Sequence, residues 1–295
     1  MPFSELVYSH WEAVLVMFAA LFLVPKGLRI LSLPPVPLYW IPATGLCVAY
    51  LFFPAPFAPL LGLPYLVAAC WSAIREGVNL LVYRRFTLGE ILRAVALAYW
   101  ATGAAWALFF LAHIQPLGFD PTMVGLTAAH FHVAGFVLST VIYALLLAQP
   151  GRFTRVLGHA ALLGMPLVAL GITLTKWGVT SMVEGLSSLL FAGMALAVAG
   201  TQLRRFGQKN LPRLARGCWL GGAVCLLIGA LLASLYALRF QWPLPWVNIP
   251  HLKVWHGTLN AVGFGWLSLH GWQLACSEKM PSIDQISKLY PSARN

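Results

Sequence analysis

Residues 120–143 read DPTMVGLTAAHFHVAGFVLSTVIY. Asp120 and Pro121 suit a helix start, with Asp as the N-cap and Pro at the first helical position. The run that follows is continuously apolar apart from a few hydroxyls and two histidines, and it does not alternate polar with apolar. Continuity without alternation predicts a helix rather than a strand. About 30 Å of hydrocarbon takes roughly 20 residues of helix, so this run is long enough to cross a bilayer. Lipid cannot satisfy unpaired backbone groups, which is why such a run must be helical throughout.

The same pattern recurs along the whole chain. Nine spans are predicted, at 11–31, 33–53, 60–83, 89–113, 122–148, 157–176, 178–200, 215–238 and 251–274. The first is interrupted in its second half by Pro25, Lys26 and Arg29. The sixth and seventh read as a tight hairpin across Trp177 and Gly178. Of the 295 residues, 60% are hydrophobic and only 9% are charged. Soluble domains carry about a quarter charged residues, so most of this chain never meets water. A mean hydropathy of +0.78 agrees. The expected fold is all-α, a polytopic transmembrane bundle over 1–276 followed by a short polar tail at 277–295. The start, MPFSEL, has no basic segment and does not read as a cleavable signal peptide.

The net charge is +11, but the basic residues fall in short clusters between apolar runs. They therefore report membrane topology and not a nucleic-acid partner. Lys26, Arg29, Arg84, Arg85, Arg93, Arg152, Arg155, the group from Arg204 to Arg216, and Lys279, Lys288 and Arg294 all map to one side. Only Lys176, Arg239 and Lys253 map to the other, and Arg75 lies inside a span. This asymmetry predicts an N-terminus outside, a C-terminus in the cytoplasm, and a multi-pass protein of the inner (plasma) membrane. The five cysteines form no CxxC, which leaves neither a disulfide framework nor a thiolate metal site.

With that topology every polar residue acquires a depth. His10, Glu12, His113, Asp120, His130, His132, Glu184, His251, Lys253, His256 and Asn260 all fall in the outer half, while His159 and His270 fall on the cytoplasmic side. An ionisable group inside the bilayer costs several kcal/mol unless it is paired or wetted, so such a gathering points to function. His130 and His132 are two residues apart and project about 200° apart around a helix. One of them is expected to face a ligand or metal and the other to bond a neighbouring helix. The plainer alternative makes both of them interhelical hydrogen-bond contacts. His256 and Asn260 lie at i and i+4 and share a face, as a ligand-orienting pair or an interhelical bond.

Glu184 is a lone carboxylate at matching depth. It reads as a metal ligand, a proton acceptor or a histidine partner, or else as half of a salt bridge to Lys176 or to another span. Together these residues predict an outward-facing site. Its catalytic candidates are His130, His132, Glu184, His256 and Asn260. Asp120, Thr127 and Lys253 would contact substrate. His132, Glu184 and His256 form a candidate metal set for zinc or iron, since imidazole and carboxylate suit both. Arg75 and Glu76 diverge by about 100° and read, with Asn79, as part of a structural polar network.

Two strings carry a family resemblance. LTAAHFHVAGF at 126–136, preceded by DPTMVG, together with HGTLNAVGF at 256–264, resembles the hallmarks of YndJ-like bacterial membrane proteins in order and separation. The resemblance spans the membrane domain; some relatives are longer at the C-terminus. It carries over Asp120, Thr127, His130, His132, Gly135, His256, Gly257, Asn260 and Gly263, and it implies an integral membrane protein to which a transporter label is sometimes attached. His-Phe-His within a membrane helix is also similar to haem-copper oxidase subunit I, whose two histidines ligate different haems. The present chain lacks that family's His-His pair and HxxxY motif and has too few spans, so haem is a lesser expectation than zinc or iron.

Three function classes follow. One is a metal-dependent membrane enzyme acting on a lipophilic small molecule. The second is a transporter or proton-coupled carrier of an ion. The third is a structural or interaction protein. Membrane lipids are the common partner of all three.

Overall fold

A computed structural model describes residues 10–33 and 39–277. The polar tail expected from 277 onward lies beyond Ser277, outside the described residues. Among the described residues every regular element is helical, and seven helices are long and apolar enough to cross a membrane. The protein is therefore a multi-pass helical membrane protein.

The helices are α1 (Trp11–Ile30), α2 (Trp40–Leu51), α3 (Ala58–Val82), α4 (Leu88–Leu111), α5 (Pro121–Ala148), α6 (Arg152–Lys176), α7 (Met182–Phe206) and α8 (Arg213–Ala237). The last, α9, runs without a break through Ile249–Thr258, Leu259–Trp266 and Leu267–Ser277. It is long enough to span, but its His, Asn, Gln and Gly content keeps it outside the seven most apolar helices.

Local chemistry sets the boundaries. Asp120 caps α5 by accepting from the Met123 amide at 3.1 Å, and Asn248 caps α9 by accepting from the His251 amide at 3.1 Å. Thr87 caps α4 in the same way, accepting from the Glu90 amide at 3.3 Å. The α6–α7 hairpin turns through Gly178 at φ +70°, a conformation glycine adopts without a Cβ penalty.

Two expectations change. Among the described residues of the second predicted span, 33–53, the helix covers Trp40–Leu51, too short at 1.5 Å per residue to cross alone. It begins beside the middle of α1, where the Tyr39 hydroxyl donates to the Ala20 carbonyl at 2.6 Å. Pro25 does not break α1 either. A π-helical turn over Ala19–Leu23 lies just before it, and a wider turn of this kind accommodates the missing amide hydrogen of a proline. Comparable π turns occur at Phe131–Val137 in α5 and Leu259–Trp266 in α9. The three π turns pack on one another.

The core centres on α5, 78% of whose apolar window is buried, against 28% for α3 and α6. Helices α1, α4, α6 and α9 pack around it.

Candidate functional site

α5 holds two histidines in opposite settings. His132 is fully buried. Its Nδ1 lies 2.8 Å from the Ala128 carbonyl, which can only accept, so Nδ1 carries the hydrogen. Nε2 is then an acceptor, and the Tyr65 hydroxyl from α3 meets it at 3.1 Å. Tyr65 in turn accepts from Trp100 Nε1 of α4 at 2.9 Å. Gly103 makes the seat, because a Cβ there would stand 2.6 Å from His132 Nδ1. Every nitrogen of His132 is engaged within the protein.

His130 faces the other way. It is the one exposed side chain between Thr122 and Leu146 of the most buried span. Its Nδ1 donates to the Leu126 carbonyl at 2.8 Å, which leaves Nε2 an acceptor without a partner among the described residues. Its ring stacks on that of His256, with centroids 6.2 Å apart and planes tilted by 28°. His256 Nδ1 donates to the Gly229 carbonyl of α8 at 2.9 Å, so its Nε2 also holds a lone pair. The Asn260 amide lies over this ring, 3.1 Å from Nδ1 and 3.3 Å from Nε2, and donates to the His256 carbonyl at 2.8 Å. The site thus sits where α5, α8 and α9 meet. His130 immediately precedes one π turn and Asn260 lies within another; π turns inside α-helices recur at functional sites.

Gly229 escaped the sequence reading. Its carbonyl orients His256, and its missing Cβ would otherwise stand 2.6 Å from Asn260 Nδ2. A glycine in an apolar helix looks the same whether it serves close packing or a site, so only the opposing residue reveals the role.

The remaining candidates are held elsewhere. Glu184 is buried and takes Arg239 Nη2 at 2.6 Å. Gly171 of α6 lets the Glu184 backbone approach to within 2.6 Å of its Cβ position. The expected salt-bridge alternative for Glu184 was Lys176 or another span; the partner is Arg239, just past the end of α8. Lys253 is buried and pairs with Glu12 of α1 at 3.2 Å, and Glu12 packs across Gly125 of α5. Asp120 is occupied as the α5 cap, and the Thr127 hydroxyl returns to the Met123 carbonyl at 2.7 Å. His251 is exposed, and His113 stacks on Phe53 with centroids 4.9 Å apart.

The metal set His132, Glu184 and His256 is therefore corrected. Among the described residues no three His, Cys, Asp or Glu side chains form a group that could hold a metal ion. His132 is turned to α3 and α4, Glu184 is neutralised by Arg239, and only His256 faces the His130 site. Two imidazoles without a carboxylate fall short of the four-ligand sets zinc takes.

The polar network expected around Arg75, Glu76 and Asn79 divides. Glu76 is buried and pairs with Arg93 of α4. Arg75 takes no part in that pair.

No curated protein and no solved structure matches the chain. The family model described as YndJ-like protein matches residues 14–264, which takes in both histidine strings and every helix from α1 to the π turn of α9. The chain belongs to the YndJ-like family.

Proposed function

We propose that this YndJ-like protein binds a lipophilic small molecule within the outer half of the inner membrane and performs proton transfer on it, using His130, His256 and Asn260. The carrying observation is the stacked pair of imidazoles, one of them the lone exposed side chain in the interior of α5. Both rings spend their Nδ1 hydrogen on a backbone carbonyl, so each Nε2 is an acceptor: that of His130 has no partner among the described residues, and that of His256 meets the Asn260 amide at 3.3 Å. Such a pair takes a hydroxyl or N–H group of the ligand and serves as general base, then returns the proton as general acid. Asn260 holds the His256 ring in place. The Lys/Arg asymmetry orients the bundle with the N-terminus outside and the tail in the cytoplasm, which opens this site outward.

A second reading, a proton-coupled carrier, rests on α2. A helix that begins beside the middle of α1 resembles the half-helices that transporters use near the bilayer midplane. The same two histidines would then relay the proton.

Outward access is testable by cysteine labelling. With the native cysteines replaced, His130→Cys in intact cells should react with a membrane-impermeant thiol reagent added outside, whereas His132→Cys should not. Reaction of His130→Cys only from the cytoplasmic face of inverted vesicles would sink the outward-facing site.

A further inference from the structure

Arg75 stands in α3, seven residues before Val82 and 17 after Ala58. At 1.5 Å per residue that is about 10 Å from the nearer helix end and about 26 Å from the other. The helix is 25 residues long and largely lipid-facing, with Trp71, Ile74 and Val78 exposed around the arginine. Charged side chains inside a membrane nearly always pair with another group or face water. Among the described residues Arg75 has no hydrogen bond, ion pair or ring contact, in contrast to its neighbour Glu76, which is bound to Arg93. Asn79, one turn on and on the same face, makes no side-chain hydrogen bond among them either.

Snorkelling to lipid phosphate is the usual relief for such a residue, but the geometry opposes it. Every Cα–Cβ bond in a helix leans towards the N-terminus. For Arg75 that direction leads away from the nearer end and deeper into hydrocarbon. This holds whichever way the bundle is oriented. Among the described residues, a second copy of the chain has no spare carboxylate to supply the missing anion. Among the described carboxylates Glu12, Glu76 and Glu184 are buried in ion pairs, and Glu90 and Asp120 sit at helix starts. Two copies inserted in the same sense and meeting symmetrically along α3 would also set Arg75 against Arg75.

We infer that the Arg75–Asn79 face of α3 is a docking surface for a membrane helix of another protein that carries a carboxylate at matching depth. The cation supplies the specificity, Asn79 offers a second hydrogen bond, and the exposed Trp71, Ile74 and Val78 supply the packing.

The test uses the full chain in phosphatidylcholine vesicles and a fluorescent Leu-rich transmembrane peptide with a single Asp about 10 Å from one end. Energy transfer from the labelled protein should reach half-saturation at about tenfold lower peptide fraction than with the all-Leu peptide, the scale expected of one interhelical polar contact. Arg75→Leu should abolish the difference, and Arg75→Glu should transfer the preference to a Lys-bearing peptide. Because the charge swap scores a gain, it decides the matter even if Arg75→Leu folds poorly. Equal transfer for the Asp and Leu peptides, or an unchanged preference in Arg75→Glu, overturns the inference. If phosphatidylglycerol in the vesicles removes the Asp peptide's advantage, the arginine is a lipid-phosphate ligand and the helix partner falls.

Discussion

His130 and His132 share one helix, one depth and almost one sequence context, yet one is fully buried and the other exposed. On the His132 side, α3 and α4 supply a hydroxyl, an indole and a glycine seat, and the ring has nothing left to offer a ligand. On the His130 side, α8 and α9 supply another imidazole, whose Nε2 takes only the neighbouring Asn260 amide at 3.3 Å. A buried polar group with all its bonds made is part of the structure. One whose lone pair has no partner among the described residues, as at His130, is available for chemistry. The contrast lies in the neighbours and not in the residue type.

The largest expected effect breaks the closed side. His132→Ala removes a fully buried ring and leaves the Tyr65 hydroxyl without its acceptor. Cavity and lost bond together should cost about 3 kcal/mol, read as thermal unfolding of the detergent-solubilised protein. His130→Ala should cost less than about 1 kcal/mol by the same measurement, since that side chain is exposed. Equal losses at the two positions would erase the distinction between the two sides of α5.

Next comes the open side. Gly229→Ala places a methyl 2.6 Å from Asn260 Nδ2 and 2.8 Å from its Oδ1. Asn260 must leave the His256 ring or α8 must shift, at about 1–3 kcal/mol. The sharper readout is the ring itself: NMR of labelled histidine should show His256 displaced and His132 unmoved. A wild-type His256 signal would mean that Gly229 is a packing glycine only.

A smaller effect than that of His132→Ala tests the closed chain of hydrogen bonds. Tyr65→Phe keeps the ring but removes the oxygen shared by His132 and Trp100. The expected loss is about 1–2 kcal/mol, with a shifted Trp100 indole N–H resonance as the specific signature. An unmoved indole signal would show that Trp100 does not donate to Tyr65.

Much of this was legible beforehand in particular residues. Asp120 and Pro121 start α5, and Gly178 turns the α6–α7 hairpin. The 200° divergence of His130 and His132 required that they serve different neighbours, and His256 with Asn260 did share a face. For Glu184, whose depth matches the histidines, the salt-bridge alternative holds rather than the metal-ligand one, and its partner is Arg239, 55 residues away. Over the 33–53 span, apolar composition alone did not reveal that α2 begins at Trp40.

The amino-acid sequence by itself determined that the chain crosses a membrane as helices, where most of those helices begin and end, and which ionisable groups lie within them. These properties follow from local periodicity, capping and transfer energies, each set by residues within a few turns of one another. The tertiary structure alone decided which histidine is satisfied and which is spare. It paired Glu12 with Lys253 across 241 residues, set three π turns against each other, and left Arg75 beside an occupied Glu76 without a partner among the described residues. The depth of a residue is a one-dimensional quantity that counting recovers, whereas its partner depends on which faces of distant helices meet. In a medium that offers no hydrogen bonds of its own, that partner separates a structural group from a reactive one.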